Sequence, residues 1–224
     1  SNKRGVFMDQ ALELLPADYW RWYLTAYGPE GSDSQFTWDH FQSSVNKDLA
    51  DVLGNFVNRI LKFGASRFEG VIPEGGTPGE AEAWLETEVA TRLANIASHY
   101  EAMEFRKAAA ETRALWAAGN EYLTRAEPWV HFKTDKDQAA LGVRMGINLV
   151  RLCAIAAQPV IPQAASKILA ALGLEGAQDW PTGDAKAMLS ALEPGRSFEP
   201  ADILFAKIED DQVAEWSERF GGAS

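Results

Sequence analysis

Residues 38–67 read WDHFQSSVNKDLADVLGNFVNRILKFGASR, a proline-free stretch whose reading decides the fold. Its apolar residues are Trp38, Phe41, Val45, Leu49, Val52, Phe56, Ile60 and Phe63. Each step between them is three or four, which predicts a helix with one continuously apolar face. At ~1.5 Å per residue the stretch would span about 45 Å. A helix that long in a globular chain needs other helices to cover its apolar stripe. Asp39 in the first turn and Lys62 and Arg67 near the end suit the helix dipole, while Gly64 leaves the far boundary open. Asn55 and Arg59 are four apart, so their side chains lie one above the other, off the apolar face.

The rest of the chain supplies the covering helices. A Gly/Pro cluster at Gly70, Pro73, Gly75, Gly76 and Pro78 marks a loop. Three further helices are expected over about Gly79–Tyr100, Glu104–Thr124 and Asp137–Ala157, with Pro159 and Pro162 introducing another over Gln163–Leu172. Upstream, Asp9–Leu15 reads as a turn or two of helix. Pro16 opens an aromatic-rich helix through Leu24, and Gly5-Val6-Phe7 and Gln35-Phe36-Thr37 read as short strands. Phe198, Ile203, Leu204, Phe205 and Ile208 are expected to pin the tail onto the bundle. Long helices with short connections predict a mainly α, antiparallel bundle.

Composition narrows the function. The 224 residues are 46 % hydrophobic, enough for a substantial core. Cys153 is the single cysteine, and it lies in an apolar helical run, so it reads as a core residue. His40, His99 and His131 have no metal-ligand spacing. No apolar run approaches the ~20 residues that cross a bilayer, so no membrane partner is expected. The net charge of −11 argues against a generic nucleic-acid binder. That charge is uneven: Ala171–Ser224 holds 11 acidic and 4 basic residues, against 21 and 17 in the first 170. The acidic tail reads as solvated surface, and a locally basic face upstream is compatible with the totals.

No Gly-rich phosphate loop, G-x-S-x-G, H-E-x-x-H or Cys/His nucleophile pair is present, and nothing resembles a complete active site. Two constellations stand out. Asn55 with Arg59 offers an amide and a guanidinium suited to base edges, though polar pairs at this spacing are commonly just a solvated face. Glu127-Pro128-Trp129 ends the third long helix. Proline disfavours α conformation in Glu127, so an extended residue is expected there. Trp129 would then project as a stacking platform for an unpaired base, or fold back as a lid on the core. Ser1 to Gly5 could touch phosphate, but reads more simply as a charged terminus.

Four colinear segments then carry a resemblance. RGVFMDQALELLPADYWRWYLTAYGPEGSDSQFTWDHF, NKDLADVLGNFVNRILKFGASRFEG, NEYLTRAEPW and MGINLVRLCAIAAQPVIP resemble bacterial methionyl-tRNA synthetases of class I, over roughly Ser1 to Ile208. The resemblance implies the carboxy-terminal part of such an enzyme. Ser1 would be the end of a KMSKS-type loop, residues 1–37 a small α/β stem-contact segment, and residues 38–224 the α-helical anticodon-binding domain with its acidic tail. It implies that Asn55, Arg59 and Trp129 after Pro128 recognise the CAU anticodon of methionine tRNA, with Asn120 as an additional contact. The implied parent reaction is attachment of methionine using ATP and Mg²⁺, in the cytoplasm. This chain would hold no cofactor, would lack the HIGH motif, would partner the catalytic domain of the same enzyme, and would be inactive alone. The alternatives are the helical bundle of a leucyl, isoleucyl or valyl synthetase, and a helical protein-interaction module.

Overall fold

The computed structural model describes residues 6–31, 33–200 and 202–220. Ser1 to Gly5, including the expected end of a KMSKS-type loop, lie outside the described residues. Two helices open the fold, α1 over Met8–Leu14 and α2 over Ala17–Tyr27. The long stretch follows as α3 over Trp38–Val45, a π-helical segment over Asn46–Gly54, and α4 over Asn55–Arg67. The helix passes through Gly64, which is buried where a Cβ would come within 2.8 Å of Phe198. Then come α5 (Glu80–Glu101), α6 (Phe105–Ala126), α7 (Pro128–Thr134), α8 (Lys136–Ala157) and α9 (Pro162–Ala171). A short α10 over Ala185–Met188 and a final α11 over Asp210–Phe220 complete the described chain.

The expected short strands do not form. Val6 and Phe7, and residues 35–37, are irregular, and Gly5 is not described. Thr37 is extended, at φ −133° and ψ 146°, but it has no neighbouring strand. It serves instead as the N-cap of α3, its hydroxyl accepting from the His40 N–H at 3.2 Å. Among the described residues the one β interaction is an isolated antiparallel bridge between Val71 and Ser197.

Within the long stretch, Phe41, Val45, Leu49, Leu53, Val57 and Leu61 are fully buried at strict four-residue spacing. Val52 and Phe63, expected on the inward face, are half-buried. The bundle forms around this row. Residues 102–104 fold α5 and α6 side by side, and α6 and α8 close over the π segment and α4. Two glycines permit the close approach: a Cβ at Gly119 would fall 2.6 Å from the Phe56 ring, and one at Gly146 would fall 2.8 Å from Ile60. By length and composition α8 could cross a membrane, contrary to the sequence expectation, because its alanine and leucine content offsets Arg144 and Arg151. Its most apolar window is 89 % buried inside the bundle.

The aromatic start packs into the same core. Trp20 stacks on Phe41 at 4.4 Å, and fully buried Trp22 meets Trp116 at 4.5 Å. Asp48, in the π segment, is 1 % exposed and joins three elements. It accepts from the Trp22 indole at 3.1 Å, from the Tyr27 hydroxyl at 2.7 Å and from the Arg113 guanidinium. Burial, and then the neighbouring Asp48 carboxylate, push the Tyr27 phenol up to about 12.

The tail is more than solvated surface. Its acids Glu209, Asp210 and Asp211 are exposed, but α11 buries Val213, Trp216 and Phe220 and sets the last two rings against Trp38. The preceding segment is held by its backbone, with Asn46 exchanging two hydrogen bonds with Ile208 at 2.8 and 2.9 Å. Phe198, Phe205 and Ile208 are buried as expected, whereas Ile203 is 82 % exposed. With Ile208 fixed at Asn46, Phe205 takes the inward position and Ile203 is left outside.

Candidate nucleic-acid interface

The expected site residues come from α4, from the end of α6, and from α7. On α4, exposed Asn55 and Arg59 begin a four-spaced row that continues with Phe63 and Arg67. That row lies one turn apart at each step on a single helix face. The α7 helix lies against it. The Arg59 guanidinium carbon sits 4.6 Å from the centre of the Trp129 ring, and Phe63 presents itself perpendicular to Trp129 at 6.3 Å. Trp129 is half-buried, with one edge supported by the core and its face beneath Arg59.

The local chain explains how Trp129 arrives there. Glu127 is not extended before the proline. It is left-handed, at φ 37° and ψ 53°, and its N–H donates to the Leu123 carbonyl at 3.2 Å, closing α6. This conformation also avoids the right-handed region that a following proline disfavours. Pro128 can therefore start α7 directly, as its missing N–H suits a first helical turn. Pro128 is buried and packs on α8 at Gly142, where an added Cβ would lie 3.3 Å from it. It positions Trp129 from beneath.

Asn120 is half-buried, one helix away from Arg59, and its amide donates to the Val52 carbonyl at 2.9 Å. Val52 lies in the π segment, and its carbonyl also accepts from the Asn55 N–H, so the Asn120 amide is a second donor to it. Asn120 thus braces the backbone just before Asn55. The Asn55 side chain has no hydrogen bond among the described residues. It lines a surface cleft of about 200 Å³ that it shares with Asp51, Asn58 and the segment through Lys207. So the structure brings Arg59 and Trp129 into contact, places Asn55 one turn from Arg59, and sets Asn120 and Pro128 behind them.

The sequence reading missed the aromatic neighbours of this face. Phe63 stands edge-on to Phe132 at 6.0 Å, and Phe132 lies under Arg67 and Lys136, each 5.4 Å from its ring centre. The signal was available in Trp129 and Phe132 at helical i, i+3 spacing, but it required a helix after Pro128. Among the described residues no three His, Cys, Asp or Glu side chains cluster as metal ligands. The arrangement is suited to stacking on planar rings and to meeting negative charge.

Comparison with known proteins identifies the family. A family model described as the anticodon binding domain of methionyl tRNA ligase matches residues 72–224, and one for class I tRNA synthetases (M) matches residues 1–61. The chain is 64 % identical to a methionine–tRNA ligase of Maricaulis maris, an alignment covering 100 % of this chain and 39 % of that protein. It is 59 % identical to one from Caulobacter vibrioides, with the same coverage of 100 % and 39 %. The chain thus spans about 39 % of the length of these curated relatives. Among solved structures, the apo form of Mycobacterium tuberculosis methionyl-tRNA synthetase superposes with a TM-score of 0.79 at 26 % identity, covering 91 % of this chain and 41 % of that one. With a bundle of this architecture and a family match across residues 72–224, the chain belongs to the anticodon-binding-domain family of methionyl-tRNA ligases.

Proposed function

We propose that this chain reads the CAU anticodon of methionine tRNA for a methionine–tRNA ligase. In this reading Trp129 stacks on an unpaired anticodon base, and Arg59 and Asn55 hydrogen-bond to base edges. Asn120 and Pro128 hold those groups in place from behind. Residues 1–37 contact the tRNA stem and link to the catalytic part of the same enzyme, while residues 38–224 carry anticodon recognition. The parent enzyme attaches methionine to tRNA with ATP and Mg²⁺ in the cytoplasm. The chain by itself is expected to show no ATP–pyrophosphate exchange.

The observation that carries this reading is the Arg59 guanidinium over the Trp129 indole, on a row that also holds Asn55. Arg59 is exposed and has no ion-pair partner among the described residues. An internal partner for Arg59 is what a plain interaction module would have required. The test is binding of this chain to a methionine anticodon stem-loop RNA and to the same RNA with an altered anticodon. Tighter binding to CAU is expected, and Trp129→Ala should cost ~1–3 kcal/mol. Equal affinity for both RNAs would sink the proposal.

A further inference from the structure

The chain is acidic, so the whereabouts of its unengaged cations decide where RNA can be met. Many of its arginines are already committed. Arg92, Arg113 and Arg125 are held in ion pairs, and Arg21, Arg144 and Arg196 donate to backbone carbonyls. Arg59, Lys62, Arg67, Lys133 and Lys136 do neither among the described residues, and all are exposed. Four of them, Arg59, Arg67, Lys133 and Lys136, gather where α4 meets α7 and the start of α8, while Lys47, Arg106, Lys167 and Lys186 are exposed elsewhere on the chain. The nearby acids are partly occupied: Asp135 caps α8 by accepting from the Gln138 N–H at 3.1 Å, and Asp137 lies against Gly75.

At the centre of this group is Phe132. It is half-buried, braced edge-on by Phe63 at 6.0 Å and by Phe68 at 5.6 Å. Arg67 and Lys136 each stand 5.4 Å from its ring centre. A cleft of about 560 Å³ opens between Phe132, Trp129, Phe63, Arg67 and Lys133. That volume falls in the ordinary range for a small-ligand site, ~300–1,000 Å³. Trp129 and Phe132 are three residues apart on α7, so their Cβ atoms lie about one helical turn, ~5–6 Å, from each other. Consecutive bases of a strand rise ~3.4 Å when stacked, and the spacing lengthens as unpaired bases are splayed apart. The two rings flank Phe63, at 6.3 and 6.0 Å, so they are within reach of neighbouring nucleotides of a splayed strand. Arg67 and Lys136 lie over the Phe132 ring, so a base that stacks there must displace them from its face, which leaves their charges at the phosphate that accompanies it.

We propose that Phe132, with Arg67 and Lys136, forms a second nucleotide subsite that takes the unpaired ribonucleotide adjacent to the one stacked on Trp129. This rests on the reading of the Asn55–Arg59–Trp129 face as an anticodon site. Phe132 supplies the platform, and Arg67 and Lys136 take the phosphate. The subsite lengthens the recognised strand by one residue and adds affinity with little base preference, because every base presents a π-face.

The test uses this chain and methionine anticodon stem-loop RNAs carrying 2-aminopurine singly at each loop position. In the wild type, emission should change on binding at two adjacent positions. One response should be lost with Trp129→Ala and its neighbour's with Phe132→Leu, a change that keeps an apolar filler in the core. Phe132→Leu should weaken binding about 5- to 50-fold, and Phe132→Tyr should match the wild type. Arg67→Gln and Lys136→Gln should each reduce the slope of log affinity against log salt by about 0.7. A single responding position in the wild type overturns the subsite. So does affinity within twofold of wild type for Phe132→Leu while Trp129→Ala weakens binding, and that result leaves the anticodon reading standing. If Trp129→Ala also has no effect, the anticodon reading fails first.

Discussion

Replacing Gly119 with alanine adds one methyl group at the point where α6 meets the helix that carries Asn55 and Arg59. Two effects of known sign oppose each other there. In the middle of a helix, alanine is favoured over glycine by ~1 kcal/mol. The new Cβ, however, would sit 2.6 Å from Cδ1 and Cε1 and 2.7 Å from Cγ of Phe56. These contacts are far inside van der Waals distance, and they involve the flat body of a ring rather than the flexible end of a chain. Phe56 is fully buried in the bundle, so it cannot retreat into solvent. Overpacking of this kind costs typically ~1–3 kcal/mol. Three atoms of one immobile ring put the cost in the upper half of that range, so the variant should be less stable by about 1–2 kcal/mol.

For a chain of this size that is a fall in Tm of about 2–8 °C, read by circular dichroism. The consequence extends to the site, because Phe56 follows Asn55 directly in the chain. Pushing α4 off α6 should displace Asn55 and Arg59 relative to Trp129 and weaken stem-loop RNA binding several-fold. Adding Phe56→Leu should relieve the contact and recover part of both losses. A Gly119→Ala variant more stable than wild type by ~1 kcal/mol, as helix propensity alone requires, would refute the packing argument.

Other parts of the molecule make equally direct predictions. Arg113→Met leaves Asp48 buried without its cation; the loss should be about 2–3 kcal/mol by urea unfolding, below the ~3–5 kcal/mol of fully buried pairs because the arginine side chain is 32 % exposed. A loss below ~0.5 kcal/mol would mean the pair is dispensable. The Tyr27 phenol is raised from 10.0 to about 12, so the folded protein holds its proton longer than the unfolded chain and stability falls as pH rises through that window. The fall in Tm between pH 9.5 and 11.5 should therefore be shallower in Tyr27→Phe, and identical slopes would contradict it. Cys153 is fully buried, and desolvation pushes its thiol upward. A disulfide reagent at pH 8 should thus label it only on unfolding, and rapid labelling of the native chain would show an opening that the core does not provide.

The helices were legible because their apolar residues repeat with the period of a helix, and long periodic segments leave few alternatives. The Asn55–Arg59 pair and Trp129 were visible as residues, and the family resemblance supplied their roles. What spacing could not supply was their meeting, which depends on Pro128 packing at Gly142 and on the left-handed Glu127. The expected strands failed because extended residues at Phe7 and Thr37 serve as helix caps. Phe132 was overlooked, and Phe63 was read only as part of the apolar face, because a half-buried phenylalanine in sequence looks like any core residue. The π segment had no signature either, since its support comes from Asn120, Trp22, Tyr27 and Arg113, all distant in the chain.

That segment nevertheless decides which way the site faces. In an α-helix a row spaced by four residues drifts by about 40° at every step. The buried row from Phe41 to Leu61 takes five such steps, about 200° in an unbroken α-helix, and Phe56 and Ile60, one residue earlier, are fully buried beside its last members. Over Asn46–Gly54 the turns are wider than 3.6 residues, which slows the drift and keeps Leu49, Leu53 and Val57 pointing into the bundle. The outward row is delayed by the same amount. Asn55, the first residue beyond the segment, therefore emerges exposed, and Arg59 and Phe63 follow it on the side where α7 lies. The Asn120 bond to Val52 and the three donors around Asp48 stabilise this phase from opposite ends of the segment.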